Sequence, residues 1–283
     1  MSYSKAITSS DAQLWVDRIP ALTDNYIWAI NSVDHREAVI VDPGDAQAVV
    51  NYLDRAERLL GAIIITHSHA DHIGGLNKLV EDYPGVPVYG PAHERIAAST
   101  IVGEEGALNI AQDCLHHCDF FDGALSLEVI NVPGHLHEHV AYVSTSPAAP
   151  WIFSGDIVFS AGCGRNFEGD SSELFHSFQR LMAYPDNSAI FAVHEYTRDN
   201  LRFAEHIEPD NQAVLMYKTK VRLLRDQEAA TSPTTVGLEK LINPFARCHL
   251  AEVQAGVANA ARLAVESPEQ CFTTMRKLKD KFY

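Results

Sequence analysis

One short segment constrains this chain more than any other, because it places three histidines and one aspartate within six residues. The segment reads Thr66-His67-Ser68-His69-Ala70-Asp71-His72. An apolar stretch at residues 61–65 precedes it and predicts a buried strand, and residues 73–76 open a helical pattern after it. The four side chains are therefore expected on a strand-to-helix loop, where functional residues are commonly placed. Imidazole and carboxylate groups are ligands of zinc and similar divalent ions, so the loop predicts a metal site rather than a polar helix cap.

Three further candidate ligands stand later in the chain. His135, Asp156 and His194 each follow a stretch of alternating or apolar residues that predicts a strand. Each one alone is more typical of a turn, a helix cap or a buried core position, but their common placement at strand ends favours a shared site. Together with the loop they make seven ligands, which exceed the needs of one tetrahedral ion and suit two ions with one shared carboxylate. The predicted metal ligands are His67, His69, Asp71, His72, His135, Asp156 and His194.

The rest of the pattern predicts an α/β protein with a helical C-terminal part. Predicted strands cover residues 13–19, 26–30, 37–41, 61–65, 86–89, 125–132, 140–145, 151–155 and 189–193. Predicted helices cover residues 46–60, 76–80, 172–182, 214–224 and 251–265. The first helix should begin after Asp45 as its N-cap and end at Gly61, because its apolar stripe continues to Leu60.

Composition limits the classes of partner and compartment. A chain of 283 residues suggests one large domain and a smaller one. The net charge of −15 argues against a general nucleic-acid or acidic-membrane surface, since such binding needs clustered lysine and arginine. No apolar stretch has the length of a transmembrane helix, and the first residues lack the pattern of a signal or transit peptide. The five cysteines are few and odd in number, which fits a reducing compartment, so we expect a cytoplasmic protein.

Several motifs resemble known proteins. The T-H-x-H-x-D-H loop, the Pro-Gly-His turn, the Gly-Asp pair after a strand and the later histidine resemble the metallo-β-lactamase superfamily. More specific segments make the whole chain similar to the hydroxyacylglutathione hydrolases, or glyoxalase II family. These segments are residues 22–26, 161–169, 194–197, 243–245 and 275–280. The resemblance implies an αββα sandwich with a smaller all-helical domain, divided into a catalytic domain at 1–196 and a substrate-binding domain at 197–283.

The same resemblance implies a reaction. His67, His69 and His135 would hold one divalent ion, Asp71, His72 and His194 the other, and Asp156 would bridge them, with Asp71, Asp156 and His194 as the catalytic residues. Zinc is expected, with iron or manganese as alternatives. The expected substrate is the glutathione thioester S-D-lactoylglutathione, hydrolysed to D-lactate and glutathione in methylglyoxal detoxification. A monomer without nucleic-acid or membrane partners is expected.

The resemblance also implies a substrate site. On so acidic a chain, Arg276 and Lys279 would supply local positive charge for the anionic glutathione, and their spacing places both on one face of a helix. The alternative is a solvated helix end whose cations are favoured by the helix dipole. The full set of implied substrate residues is Arg165, Asn166, Phe167, Tyr196, Arg276 and Lys279.

Departures from the family pattern leave alternatives open. Leu136 and Glu138 replace a hydroxyl residue and a glycine that the family commonly has, and Ala192-Val193 replaces Cys-Gly. His137 and His139 are alternative candidates for the ligand role given to His135, although His135 directly follows the turn.

Residues 114–118, Cys-Leu-His-His-Cys, lack the spacing of a zinc finger and are predicted to form a surface strand. Two alternative functions are a mono-iron glutathione persulfide dioxygenase of the same superfamily and a non-catalytic metal-binding scaffold.

Overall fold

A computed structural model describes residues 3–102 and 116–282 of the chain. These residues form two compact units. The first comprises Met1–Asn131 and Glu138–Gly155, and the second comprises Val132–His137 and Asp156–Tyr283. The candidate ligands are divided between the units, with the loop at 67–72 in the first and His135, Asp156 and His194 in the second.

The first unit begins with a seven-stranded sheet and three helices. The strands are β1 (Ser4–Thr8), β2 (Leu14–Ala21), β3 (Asn25–Ser32), β4 (Glu37–Val41), β5 (Leu59–Ile64), β6 (Val88–Gly90) and β7 (Thr100–Ile101). The helices are α1 (Ala46–Ala56), α2 (Ala70–Ile73) and α3 (Leu76–Asp82). Strands β1 to β4 pair antiparallel, and β4 to β7 pair parallel in chain order. The helical crossovers place the carboxyl ends of β4 and β5 side by side, which is where parallel sheets commonly carry function.

Helix α1 is shorter than its apolar stripe predicts. Asp45 caps it as expected, because its carboxylate accepts from the backbone N–H groups of Gln47 and Ala48. The helix ends at Ala56, since Glu57 adopts the left-handed conformation (φ +54°) that closes a helix. Leu60 then pairs with Ala38 in the sheet. The prediction that the helix continues to Gly61 is therefore wrong, because Leu60 belongs to β5.

Four more strands belong to the part of the first unit that the structure describes. They are β8 (His116–Phe120), β9 (Leu125–Asn131), β10 (Val140–Ser144) and β11 (Trp151–Gly155), paired antiparallel in the order β8-β9-β10-β11. The buried Tyr142 hydroxyl donates to the Ile65 carbonyl at 2.9 Å and so joins these strands to the first sheet. Strand β8 contains His117 and the buried Cys118, while Cys114 and Leu115 of the same motif lie outside the described residues.

The second unit is mainly helical. Its short strands are β12 (Val158–Phe159), β13 (Gly162–Cys163), β14 (Ala189–Ala192) and β15 (Thr234–Thr235), and β12 pairs antiparallel with β13 and β14 with β15. Its helices are α4 (Ser171–Met182), α5 (Thr197–Ile207), α6 (Gln212–Asp226), α7 (Val236–Ile242), α8 (Ala251–Ala261) and α9 (Pro268–Lys279). The predicted helical C-terminal part is confirmed. Among residues 3–102 and 116–282, no helix has both the length and the apolar character to cross a bilayer.

Candidate metal centre

The loop between β5 and α2 brings its ligand atoms together within the first unit. His67 and His72 are fully buried, and His69 and Asp71 are half-buried. His67 Nε2 lies 3.1 Å from His69 Nδ1. Two nitrogens on one tetrahedral zinc, each ~2.0 Å from it, are separated by about 3.3 Å. His72 Nε2 lies 3.8 Å from an Asp71 carboxylate oxygen, so these two atoms are also near each other, at a wider spacing than the tetrahedral one. The loop therefore offers two pairs of ligand atoms.

Asp42 holds both ends of this loop through hydrogen bonds to Thr66 and His72. It stands at the end of β4, is almost completely buried and has a positive φ of 50°. One carboxylate oxygen accepts from the backbone N–H of Thr66 at 2.8 Å. The other accepts from the Thr66 hydroxyl at 2.7 Å and from His72 Nδ1 at 3.0 Å. One carboxylate thus fixes both the start and the end of the ligand loop.

These contacts also assign the protons of two imidazoles. Because Asp42 accepts the Thr66 hydroxyl proton, the Thr66 oxygen is an acceptor for His67 Nδ1, 3.0 Å away. His67 therefore carries its proton on Nδ1, and so does His72, which faces the Asp42 carboxylate. In the neutral form of each ring, Nε2 therefore carries the lone pair. Metal-binding histidines usually direct their other N–H to a carboxylate, hydroxyl or carbonyl in this way, so the ring tautomers fit a divalent ion.

Asn25 adds a further contact to the loop. Its side-chain amide donates to Asp71 Oδ2 at 3.0 Å, which holds that carboxylate in one orientation. Asn25 stands at the start of β3, within the segment at 22–26 that the family resemblance singled out. In the sequence, Asn25 and Asp42 each stand in a segment that is also typical of a turn, Asp24-Asn25 and Asp42-Pro43-Gly44. The signal that could have identified Asp42 was its position at the end of a strand parallel to the one before the ligand loop.

In the second unit, Asp156 lies between the other two candidate histidines. Its Oδ2 is 3.4 Å from His135 Nε2, and its Oδ1 is 3.6 Å from His194 Nε2. All three side chains are more than nine-tenths buried. One carboxylate therefore presents a separate oxygen to each histidine, which is the arrangement needed to bridge two cations.

Backbone groups hold His135 in place. Its Nδ1 lies 2.8 Å from the Arg165 carbonyl, and because a carbonyl only accepts, Nδ1 carries a proton, so the neutral ring has its lone pair on Nε2. Gly134 has a φ of 123°, a conformation that favours glycine, and forms the turn that places His135. Gly164 packs so closely that an added Cβ would lie 1.9 Å from the Asp156 carbonyl oxygen and 3.1 Å from His135 Nδ1. The segment at 164–165 is thus fitted tightly around two candidate ligands.

Aromatic rings surround His194. Tyr196 stacks on it with ring centroids 4.6 Å apart and an interplanar angle of 1°. Phe159 contacts both rings edge-on, at 5.6 Å from His194 and 5.5 Å from Tyr196. These contacts limit rotation of the imidazole. Tyr196 remains 37% exposed, so it also offers a surface to a ligand.

The predicted substrate residues at 165–167 differ in their surroundings. Arg165 and Phe167 are exposed, and the Phe167 ring meets His135 edge-on at 5.2 Å. Asn166 donates to the carbonyls of Gly134 and Asp170 and accepts from Ser171. Its amide is therefore engaged in holding the turn before His135.

The two cations of α9 also differ. Arg276 is only 3% exposed, and its guanidinium donates to the carbonyls of Cys163 at 2.9 Å and Gly164 at 3.2 Å and to Asp280 at 3.0 Å. Lys279 is half-buried and donates to the Asp199 carbonyl at 3.2 Å. Burial, reinforced by the nearby Arg276 charge, lowers the pKa of Lys279 to about 8. Arg276 therefore supports the segment beside His135, while Lys279 is the more accessible cation.

Two rival histidines are also placed. His137 is exposed, with Nδ1 4.0 Å from Glu173. His139 is buried in the first unit and stacks on His67, with centroids 4.5 Å apart and a 19° interplanar angle. His139 therefore packs against the ligand loop through its contact with His67.

Comparison with known proteins agrees with this geometry. The metallo-beta-lactamase superfamily model matches residues 23–194, and the model for the hydroxyacylglutathione hydrolase C-terminus matches residues 195–282. A hydroxyacylglutathione hydrolase of Aliivibrio fischeri (strain MJ11) is 42% identical over 95% of this chain and 100% of its own length. One of Vibrio campbellii is 43% identical with the same coverage. The chain belongs to the hydroxyacylglutathione hydrolase family.

Solved structures extend the comparison to the fold. ETHE1 from Myxococcus xanthus has a TM-score of 0.58 at 21% identity, over 100% of this chain and 96% of its own. A metallo-beta-lactamase from Staphylococcus aureus has a TM-score of 0.59 at 18% identity, over 94% of this chain and 73% of its own. The family resemblance and the predicted metallo-β-lactamase fold with a helical C-terminal domain are confirmed. The superfamily match and the His and Asp ligand types are compatible with a dinuclear metal site.

Proposed function

We propose that this hydroxyacylglutathione hydrolase family member hydrolyses the thioester of S-D-lactoylglutathione to D-lactate and glutathione, as a step of methylglyoxal detoxification. The observation that carries the proposal is the match of the family's C-terminal model to residues 195–282. The superfamily model names only the fold family, whereas the C-terminal model is described as that of hydroxyacylglutathione hydrolases, a name that states the class of thioester. We also propose the predicted domains at 1–196 and 197–283. Support comes from the C-terminal model, whose match begins two residues before that boundary, at 195.

We propose that seven side chains hold two divalent ions. One group is His67, His69 and His135, the other is Asp71, His72 and His194, and Asp156 serves both. Support comes from the protonated Nδ1 atoms of His67, His72 and His135, which leave Nε2 available in each ring. Further support comes from Asp156, whose two oxygens face different histidines. Zinc is the proposed metal, with iron or manganese as alternatives, because mixed imidazole and carboxylate ligands suit all three.

When bound, two such ions supply a water with a pKa lowered to about 7 and positive charge against the developing oxyanion. The protein supplies orientation. Asp71, Asp156 and His194 act in catalysis by holding their ligand atoms in fixed directions, through Asn25 for Asp71 and through Tyr196 for His194. A general acid for the leaving group is unnecessary, since a thiol pKa of ~8.5 makes the thiolate a good leaving group.

We propose that the substrate lies against Arg165, Phe167, Tyr196 and Lys279. The exposed rings of Phe167 and Tyr196 each contact a candidate ligand, so a substrate on them reaches the reaction centre. Lys279 provides a cation for a glutathione carboxylate. Asn166 and Arg276 serve the same site by holding residues 134 and 163–164.

A paired assay tests the function. Purified protein is analysed for metal and then supplied with S-D-lactoylglutathione, or with glutathione persulfide while oxygen uptake is recorded. We expect close to two metal ions per chain and rapid release of glutathione from the thioester. Oxygen uptake on the persulfide without thioester cleavage would replace the proposal with the dioxygenase alternative, and inactivity on both would favour a scaffold.

We propose a cytoplasmic monomer without nucleic-acid or membrane partners. Support comes from the net charge of −15 and from the buried free thiols of Cys163, Cys248 and Cys271, which are typical of a reducing compartment. Light scattering of the purified protein measures the oligomeric state.

A further inference from the structure

Glu138 contacts the ligand loop in a way that the family pattern does not anticipate. It occupies a position where the resembling family commonly has glycine. In the first unit, its Oε1 accepts from the Ser68 hydroxyl at 2.7 Å and from the Ser68 backbone N–H at 3.2 Å. Ser68 is 3% exposed and stands between His67 and His69. One carboxylate oxygen therefore satisfies both polar hydrogens of the residue that links two candidate ligands.

The position of Ser68 gives this contact its importance. The backbone dihedrals at Ser68 set the direction of the His67 ring relative to the His69 ring, whose nitrogens are 3.1 Å apart. A buried backbone N–H without an acceptor is costly, so the loop would rotate to find another partner if the carboxylate were removed. Asp42 fixes the loop at residues 66 and 72 but makes no contact with Ser68 among the described hydrogen bonds.

We propose that Glu138 is a positioning residue that holds Ser68 and thereby fixes the geometry of His67 and His69 for metal binding. This inference rests on the proposed metal site and not on the identity of the substrate. The hydrogen bonds, and not the negative charge, are the essential contribution. A glutamine at this position can accept from both Ser68 donors through its amide oxygen, whereas alanine accepts neither.

The test compares Glu138→Ala, Glu138→Gln and Ser68→Ala with the unmodified protein. Glu81→Ala is the matched control, because Glu81 lies on the surface of the same unit and pairs only with Lys78 among the described ion pairs. Zinc affinity is measured by competition with a chromogenic chelator. In the metal-free protein, hydrogen exchange is measured for a peptide that contains Ser68.

We expect Glu138→Ala to weaken zinc binding by about 10-fold or more and to speed exchange at Ser68, in line with other residues that orient metal ligands. Glu138→Gln should stay within about 3-fold of the unmodified protein, a smaller loss than the roughly 10-fold or more expected of Glu138→Ala. Ser68→Ala, which keeps the N–H bond, should give a smaller loss than Glu138→Ala. Unchanged affinity and exchange in Glu138→Ala would overturn the proposal, and so would a Glu138→Gln variant as weak as Glu138→Ala.

Two further outcomes keep the proposals separable. If Glu138→Ala does not fold, unchanged zinc affinity in Ser68→Ala overturns the inference, and a reduced affinity supports it. Both measurements are made without substrate. Inactivity on S-D-lactoylglutathione combined with the expected loss of zinc affinity would therefore reject the proposed function and leave the role of Glu138 supported.

Discussion

The ligand sets of the two units are held in different ways. In the first unit, side-chain carboxylates and an amide orient the loop, with Asp42 on Thr66 and His72, and Asn25 on Asp71. In the second unit, backbone carbonyls and aromatic faces do this work, as at His135 and His194. The orientation of the first ligand set therefore depends on particular side chains, and the orientation of the second depends on close packing of the backbone. Substitutions should therefore disturb the two sets by different routes.

The largest expected effect is at Asp42. Asp42→Ala removes the acceptor for three donors and the orientation of both His67 and His72, so we expect zinc affinity to fall by about 100-fold. Asp42→Asn should be intermediate, because one amide oxygen cannot replace two carboxylate oxygens. Chelator competition measures both. Asp45→Ala is the control, since Asp45 only caps α1 and its loss should cost about 1 kcal/mol of stability without changing zinc affinity. Equal zinc loss in both variants would contradict the special role of Asp42.

The next effect tests the backbone packing of the second unit. Gly164→Ala places a Cβ against the Asp156 carbonyl, so the segment at 164–165 must shift away from His135. We expect zinc affinity to fall by more than about 10-fold. Gly85→Ala is the control, because Gly85 has a φ of 88° but nothing near its added Cβ. It should lose about 1 kcal/mol of stability and no zinc affinity. Normal metal binding in Gly164→Ala would refute the packing argument.

A third prediction separates the two cations of α9. Arg276→Ala should weaken zinc binding by about 10-fold and also raise KM. The reason is that Arg276 holds the carbonyls of Cys163 and Gly164, which precede the Arg165 carbonyl that His135 contacts. Lys279→Ala should raise KM by about 10-fold, which corresponds to the loss of ~1.4 kcal/mol of charge attraction to the substrate. Its zinc affinity should be unchanged. Steady-state kinetics beside chelator competition distinguishes them. Identical behaviour of the two variants would place both residues in the same role.

The smallest expected effect is a pH dependence of KM. The pKa of Lys279 is lowered to about 8, so its amine is charged below that pH and neutral above it. Attraction of an anionic substrate is therefore present at lower pH and lost as pH rises through about 8, and KM should rise over that interval. The nearby charges are Arg276, Asp199 and Arg202. Lys279→Arg keeps its charge, since the arginine pKa exceeds ~12, and should remove this rise. The same rise in both proteins would assign the titration to the substrate.

The sequence made the candidate ligands recognisable because each follows a stretch with the apolar periodicity of a strand. Asp42 was not recognised, since an aspartate before Pro-Gly is also typical of a turn. The end of α1 was misplaced because Leu60 satisfies the helical stripe as well as a strand position, and only the left-handed Glu57 decides between them. The face shared by Arg276 and Lys279 was predictable from their spacing, but the burial of Arg276 depends on packing against residues more than a hundred positions away.

The most direct test of the two-metal account is a titration of metal-free protein with zinc while hydrolysis of S-D-lactoylglutathione is recorded. The account predicts that activity rises until close to two equivalents of zinc are bound per chain and then stays constant. Full activity at one equivalent, or no hydrolysis at two, would contradict it.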